Sequence, residues 1–263
     1  MSRIAVLTAT RWEFNAVAAA MTQPARRAVG RLSCLEGRCE ANEILLVQTG
    51  IGPSAAARGA AAVLAGSPVD LVVSAGYACL LTDGRVGDVM TATEVATLSP
   101  TASATDAAAR PCDERFRSTA ASVAQRRGKR VHVGRVVSDA RVAVTADDKR
   151  RAAAGTGAIG LDMESAAIAT VAAERRIPMG VLRVASDLKD ADLPFDFNRC
   201  TGPLGWARGV ALCVTHPSRL CALMAFRRDV AVATASLTEA CREVLGREEA
   251  AGPRRMTIRC AEC

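Results

Sequence analysis

The sequence predicts an α/β fold, with helices layered on a central sheet and a purely helical segment after it. Three observations carry this. Short apolar runs of strand length alternate with helix-forming stretches as far as the run "MGVLRVAS". One of those runs, "VDLVVSAG" (69–76), is apolar almost throughout, the mark of a strand buried on both faces. Beyond Leu204 the pattern turns helical only.

Taken in order, "RIAVLT" (Arg3–Thr8) reads as the first strand and "RWEFNAVAAAM" as a helix. "LSCLEGRCEANEILLVQTG" reads as two strands joined by a turn near Ala41-Asn42. "IGPSAAARGAAAVLAG" opens on Gly and Pro, continues in helix formers and stops at Gly66. "VGDVMTATEVATL" is a further strand, and residues 100–111, rich in Ser, Thr and Ala, read as a loop. A helix over Asp113–Arg127, a strand over Arg130–Val137 and a helix over Thr145–Ala154 follow. Next come a strand near Ile159, a helix over Met163–Arg176 and the strand "MGVLRVAS". Residues 190–203 read as a loop. "GWARGVALCV" and "PSRLCALMAFRRDVAVATASLTEACREVL" read as an amphipathic helix pair broken at His216-Pro217. Arg219, Arg227, Arg228 and Asp229 interrupt its apolar stretches, so none reaches the roughly 20 apolar residues of a membrane span. The expected division is an α/β domain over 1–203, a helical extension over 204–246 packed on it, and a frayed tail over 247–263.

Half of the 263 residues are hydrophobic and only 3% are aromatic, so a sizeable core must be built from Ala, Val, Leu and Ile. The net charge is +7, but the basic residues lie in short scattered clusters without interleaved aromatics. That pattern argues against a nucleic-acid binder and leaves attraction to an anionic substrate or membrane surface open. The opening "MSRIAVLTATRWEF" has no export-signal pattern, so the ten irregularly spaced cysteines are expected as free thiols in a reducing cytoplasm. The pair Cys260 and Cys263 lacks further ligands at zinc spacing. Two histidines are too few for a histidine-based metal site or triad, and no metal centre is expected. His132, alternating with valines in "RVHVGRVV", is expected to face water or a hydrogen-bond partner.

The chemistry gathers at the ends of apolar runs. In "GLDMESAAIA" (160–169), Asp162 and Glu164 stand at the head of a helix that is apolar on every side. Free backbone N–H groups and the helix dipole favour carboxylates there, so capping is one reading. The other is that Glu164 accepts hydrogen bonds from vicinal sugar hydroxyls. In "VLRVASD", an apolar strand ends in Ser186-Asp187 and carries Arg183, which needs a buried partner. "TATRWE" places Arg11 and Glu13 just after the first strand. "QTGIGPSAAA" and "VVSAGYACLL" are glycine turns after strands, but neither has dinucleotide or P-loop spacing.

Together these motifs resemble the nucleoside phosphorylase and methylthioadenosine nucleosidase superfamily. The order "RIAVLTATRWEFNAV", "QTGIGPSAAARGAAAVL", "VVSAGYACLLTDGRVGDVM", "VVSDARVAVTADDKR", "GLDMESAAIATVA", "IPMGVLRVASD" follows that family over roughly residues 3–190. The segment "LPFDFNRCTGPLGWARGVALCVTHPSRLCALMAFRRDVAVA" resembles the C-terminal extension of the hopanoid-associated phosphorylases, which act on adenosylhopane. The resemblance implies a three-layer α/β/α fold with a central mixed sheet and a C-terminal helical extension. It implies cleavage of a purine nucleoside, with Asp187 as the acid serving the purine N7 and Glu13 as the carboxylate near the nucleophile. Met163 and Glu164 become the ribose contacts, supported by Ser186 and Arg183. Ser74, Gly76, Tyr77, Ala78 and Cys79 form the base or phosphate loop, and Arg11, Gly52 and Arg58 are the phosphate candidates.

No cofactor is implied beyond inorganic phosphate as a co-substrate in the phosphorolytic branch. The resemblance further implies a homo-oligomer. The opening segment leads us to expect a cytoplasmic protein, and the basic amphipathic C-terminal helices would suit peripheral association with the inner face of the membrane. Tyr77 and Cys79 replace small residues of the family and are expected to reshape the pocket. Val142 and Val144 stand where an aromatic is usual, so base recognition is expected to rest on backbone and aliphatic contacts. Protonation of N7 calls for an acid that keeps its proton near neutral pH, and partial burial of Asp187 is the expected means.

Overall fold

A ten-stranded mixed sheet organises the described residues of the computed structural model, which are 1–98, 109–126, 128–194, 196, 198 and 217–247. Its strands are β1 (Arg3–Thr8), β2 (Thr22–Val29), β3 (Leu32–Cys39), β4 (Asn42–Gln48), β5 (Leu71–Leu80), β6 (Val89–Thr97), β7 (Arg110–Pro111), β8 (Val131–Ser138), β9 (Gly160–Asp162) and β10 (Met179–Leu188). The helices are α1 (Arg11–Ala18), α2 (Pro53–Gly66), α3 (Glu114–Arg126), α4 (Ala146–Thr156), α5 (Ser165–Glu174) and α6 (Pro217–Arg247).

The sheet does not stay open. β5 pairs in parallel with β1 and β10, β10 runs antiparallel to β6, and β6 is parallel to β8. β8 is parallel to β9, and β9 returns antiparallel to β5, which closes a ring of five strands. Beyond β1 the sheet continues through β4 to β3 and β2. The cause of closure lies in strand lengths. Pairing of β1 with β5 stops at Leu7 and Ser74, while β5 runs on to Leu80. The edge thus freed is taken by β9 at Cys79 and Leu80. β1 and β5 part at their carboxyl ends, the usual ligand position in such sheets.

Strand alternation divides the core in two. Ile4, Val6, Val73, Ala75, Leu182 and Val184 face α1, α3 and α6. Ala5, Leu7, Val72 and Val181 face α2 and α5, whose Ala56, Ala60, Ile168, Ala169 and Ala172 complete that side. The three layers are those the sequence predicts. On α6, Ala233, Leu237, Ala240, Cys241, Val244 and Leu245 belong to the same core as β1 and β5, so this part of the extension is integral to the domain. Asn42 Nδ2 donates to Leu245 O (2.8 Å) and Thr238 Oγ1 to Ala16 O (3.0 Å), tying α6 to β4 and α1. Segments 204–216 and 248–263 lie outside the described residues, so the first helix of the expected pair and the tail go undescribed. Cys34, Cys39, Cys79, Cys112 and Cys241 are free thiols.

Two local differences have clear reasons. β2, "TQPARRAV", is absent from the sequence reading because it is a largely exposed edge strand without apolar alternation. It carries Pro24 and an irregularity between Thr22 and Ala25, both tolerated at an edge. α5 begins at Ser165, two residues later than expected, because Met163 and Glu164 form the turn out of β9.

Gly180 of β10 lies directly under the Phe116 ring of α3, and a Cβ there would overlap the ring. Gly180→Ala is expected to destabilise the fold by about 1–3 kcal/mol. Urea unfolding should show a lower midpoint with an unchanged slope, and Phe116→Leu in the same chain should recover part of the loss.

Candidate active site

Arg183, in the apolar middle of β10, is fully buried, and three carboxylates surround it. Its Nη2 lies 2.8 Å from Asp162 Oδ2 and 3.8 Å from Glu164 Oε2, and its Nη1 lies 3.9 Å from Glu13 Oε1. The guanidinium also donates to Ser74 Oγ (2.8 Å), Ser165 Oγ (3.1 Å) and Tyr77 O (3.4 Å). Its Nε has no hydrogen-bond partner among the described residues.

Each carboxylate is held by the start of a local element. Thr10 and Glu13 form a capping box on α1: Glu13 N donates to Thr10 Oγ1, and Glu13 Oε2 accepts from Thr10 N (2.7 Å) and Ala9 N (3.1 Å). Glu13 Oε1 accepts from Tyr77 N at 2.8 Å. Gly76 permits this approach, since a Cβ there would overlap the Glu13 carboxylate and stand 2.5 Å from Arg183 Nη1. Asp162 is not the N-cap of α5, a place held by Glu164, but it reaches the helix front from the end of β9: its Oδ1 accepts from the N–H groups of Glu164 and Ser165, each at 3.3 Å. It also accepts from the hydroxyls of Ser138 and Ser165 while pairing with Arg183.

Glu164 Oε1 accepts from Gly52 N at 2.8 Å, and Gly52 takes a φ of +91° to present it, a conformation that favours glycine. Burial pushes the Glu164 carboxyl up to about 7, against the pull of Arg183, and the charges of Asp162 and Glu13 add to the rise. Met163, between the two acids, is half-buried.

Asp187 sits four residues along β10, just past an irregularity at Ala185. Ser186 Oγ donates to its Oδ1 at 2.8 Å. Lys149 Nζ stands 2.6 Å from its Oδ2, a partner that the sequence reading does not give it. Lys149 is fully buried and also donates to Ala191 O (2.8 Å) and Leu188 O (3.3 Å). By sequence, Lys149 falls in one of the short basic clusters, with Arg150 and Arg151. The missed signal is helical spacing: Ala146, Lys149 and Ala152 share the buried face of α4.

The loop expectations need correction. Tyr77 does not reshape the site with its ring. Only its backbone serves the cluster, while its side chain lies on the other face of β5, with the phenol 2.7 Å from Thr234 Oγ1 of α6. Burial lifts that phenol to about 12. Cys79 is packed with Leu81, Ala152 and Leu161, and burial, with the charge of Asp187, pushes its thiol up. Ala78 packs inside the strand ring with Leu80, Met90 and Ala185. Arg11 and Arg58 are exposed, and no contact joins either to the cluster among the described residues. His132 meets the expectation of a bonded strand residue, between Asp88 Oδ2 (3.0 Å) and Thr82 Oγ1 (3.2 Å). Both backbone groups of Val142 are engaged by one side chain, Asn198, whose Oδ1 accepts at 2.9 Å and whose Nδ2 donates at 3.0 Å.

The raised proton affinity of Glu164 has a stability consequence. The folded state holds this proton more tightly than the unfolded chain, so its contribution is full below the ordinary value of 4.5 and is lost as pH rises to about 7. Glu164→Gln removes that dependence. The stability of wild type relative to Glu164→Gln should fall between those two pH values, by up to about 3 kcal/mol, and stay level above them. Denaturant unfolding of both proteins at closely spaced pH values measures it.

Comparison with known proteins agrees with this architecture. Residues 3–201 match the model of the Phosphorylase superfamily. A 5′-methylthioadenosine/S-adenosylhomocysteine nucleosidase of Actinobacillus succinogenes is 30% identical over 206 residues, covering 74% of this chain and 90% of that protein. Among solved structures, the nucleosidase of the same description from Neisseria meningitidis, in complex with methylthio-immucillin-A, has a TM-score of 0.72 at 22% identity. That match covers 94% of this chain and 99% of the other. Futalosine hydrolase of Helicobacter pylori shares the fold with a TM-score of 0.72 at 17% identity, over 92% of this chain and 97% of the other. With the family model spanning most of its length and a relative of this identity, the chain belongs to the phosphorylase superfamily.

Proposed function

We propose that the protein hydrolyses the N-glycosidic bond of an adenine nucleoside with a hydrophobic 5′-substituent; adenosylhopane is the candidate, because the C-terminal segment resembles the extension of phosphorylases that act on it. The observation that carries the reaction class is the buried cluster of Glu13, Asp162 and Glu164 around Arg183, with Asp187 farther along the same strand. Glu164 accepts from the ribose hydroxyls and Met163 packs on the sugar. The negative cluster favours the oxocarbenium-like sugar that forms as the bond breaks. Glu13 Oε2 already takes the Thr10 and Ala9 amides and the Thr10 hydroxyl, whereas Oε1 takes only the Tyr77 amide. Oε1 thus keeps a lone pair for the attacking water. Asp187 protonates the departing purine.

Three further observations support the reading. Three carboxylates beside one guanidinium make a poor seat for a phosphate anion, and the side chains of Arg11 and Arg58 are exposed, which favours water over phosphate as the nucleophile. The Asn198 carboxamide offers Val142 an acceptor beside a donor, the pattern of the adenine N1 and 6-amino edge. Trp12 and Ile51 are exposed apolar residues next in sequence to Glu13 and Gly52, suited to a hydrophobic 5′-group or to a second copy of the chain. On α6, Met224 and Val232 are exposed along with Arg227 and Arg228, a composition that suits a cytoplasmic protein resting on an anionic membrane surface. No helix among the described residues is long and apolar enough to cross a membrane.

A second reading, salvage of methylthioadenosine or S-adenosylhomocysteine, is favoured by the description of the relatives as 5′-methylthioadenosine/S-adenosylhomocysteine nucleosidases. Purified protein is expected to release adenine from adenosylhopane faster than from methylthioadenosine or inosine, at a rate that added phosphate leaves unchanged. Asp187→Asn should lower kcat by about 10²–10⁴-fold. Release of no purine from any of these nucleosides overturns the assignment, and a strict phosphate requirement overturns hydrolysis.

A further inference from the structure

The most unusual group outside the carboxylate cluster is Lys149, a lysine with no exposed side-chain surface on a short helix. Its ammonium has three donors, and the structure gives each a place: Asp187 Oδ2 at 2.6 Å, Ala191 O at 2.8 Å and Leu188 O at 3.3 Å. A buried ammonium is costly unless it is paired and hydrogen-bonded, and all three partners lie on the segment that begins with Asp187. The lysine therefore fixes both the carboxyl and the chain that follows it.

The surroundings leave Lys149 as the charge that acts on Asp187. From β5 the carboxyl faces the Cys79 thiol, which burial keeps neutral. On its own segment, Lys189 turns away to Asp83 (2.7 Å) and Asp190 to Arg150 (3.1 Å), both near the surface. Ser186 Oγ, uncharged, takes the remaining oxygen.

We propose that Lys149 is a positioning residue that strengthens Asp187 as an acid in the cleavage reaction, an inference that rests on the function proposed above. When Asp187 gives its proton to the purine, its O–H bond breaks, an N–H bond forms on the base, and the pair of electrons stays on a carboxylate already facing an ammonium. The ammonium lowers the energy of that product and so favours transfer to a base that is only beginning to gain negative charge. Its bonds to Leu188 and Ala191 hold the carboxyl in line while this happens. The proton is reloaded from solvent after the products leave.

The test separates charge from packing and from the function itself. Lys149→Met keeps much of the volume and removes the charge; Lys149→Arg keeps the charge in a different shape. In Lys149→Met, the alkaline limb of the kcat/KM profile for adenine release should move up by about one pH unit. On the plateau below that limb, where Asp187 holds its proton in both proteins, kcat should fall several-fold, by at most about tenfold, with KM little changed. Lys149→Arg should leave the limb in place. Carbon-13 resonances of the aspartate carboxyls, with Asp187→Asn giving the assignment, report the same shift without turnover: the Asp187 midpoint should rise by about one unit in Lys149→Met. An unchanged midpoint in a folded Lys149→Met protein overturns the proposal, whether or not the protein cleaves nucleosides. A moved midpoint in Lys149→Met, together with a wild type that releases no purine, instead sinks the proposed function and leaves Lys149 as the group that sets the charge of Asp187. Should Lys149→Met not fold, Lys149→Gln carries the same comparison.

Discussion

The burial of one guanidinium constrains this structure more than any other interaction. Arg183 has lost its water, and a charge so placed must be met by opposite charge and by hydrogen-bond acceptors at once. Asp162 supplies the close pair, Ser74, Ser165 and the Tyr77 carbonyl supply acceptors, and Glu13 and Glu164 stand just beyond contact distance. Lysine would not serve, because its point charge cannot reach partners on β5, β9 and α5 in one plane as the fork of an arginine does. The requirement ties the front of α1, the turn from β9 into α5, and the middle of β5 to a single point. Gly76 follows from it, since no side chain fits between Glu13 and Arg183. So does the raised proton affinity of Glu164. One cation does not neutralise three buried carboxylates, and Glu164 has a single backbone amide and no close pair to Arg183, so burial raises its proton affinity.

Each acid also has a local reason to be where it is. Glu13 closes a capping box, Asp162 accepts from the amides of the turn into α5, and Glu164 meets the amide of a glycine held at positive φ. These bonds fix the carboxylates before any ligand arrives, which is what preorganisation of a site requires. They also make structure and chemistry hard to separate by mutation. A change at Glu13 removes a helix cap along with a lone pair that could hold water.

That double duty explains what could be read from the sequence. Glu164, Arg183 and Asp187 stood out because each is a charge in an apolar run, and such charges need partners. The partners themselves were less visible. Lys149 hid among Arg150, Arg151, Asp147 and Asp148, all of which do lie at the surface and pair there. Only its spacing from Ala146 and Ala152 marked it as buried. Tyr77 misled for a related reason. The order of residues in a loop does not say which face of a strand a side chain takes, and in β5 the ring turns to α6 while the amide turns to Glu13. The closed ring of strands was out of reach because it depends on β5 outrunning β1, a difference in length rather than in pattern. The layers and most elements were legible, since alternating apolar runs and helix formers report them locally.

The two halves of the site differ in charge, and the difference suits bond cleavage of the proposed kind. Around Arg183 the acids outnumber the cation, so that end is negative unless Glu164 keeps its proton. Around Asp187 one ammonium faces one carboxylate, so that end is balanced when the acid has given up its proton. The two residues are separated along β10 by about 13 Å at the usual strand rise, with side chains able to converge on a nucleoside-sized molecule between them. Breaking an N-glycosidic bond moves charge the same way: the sugar becomes positive and the base becomes negative. A site built with an excess of carboxylates at one end and a paired acid at the other opposes neither change, and it holds that polarity through bonds the fold already needs.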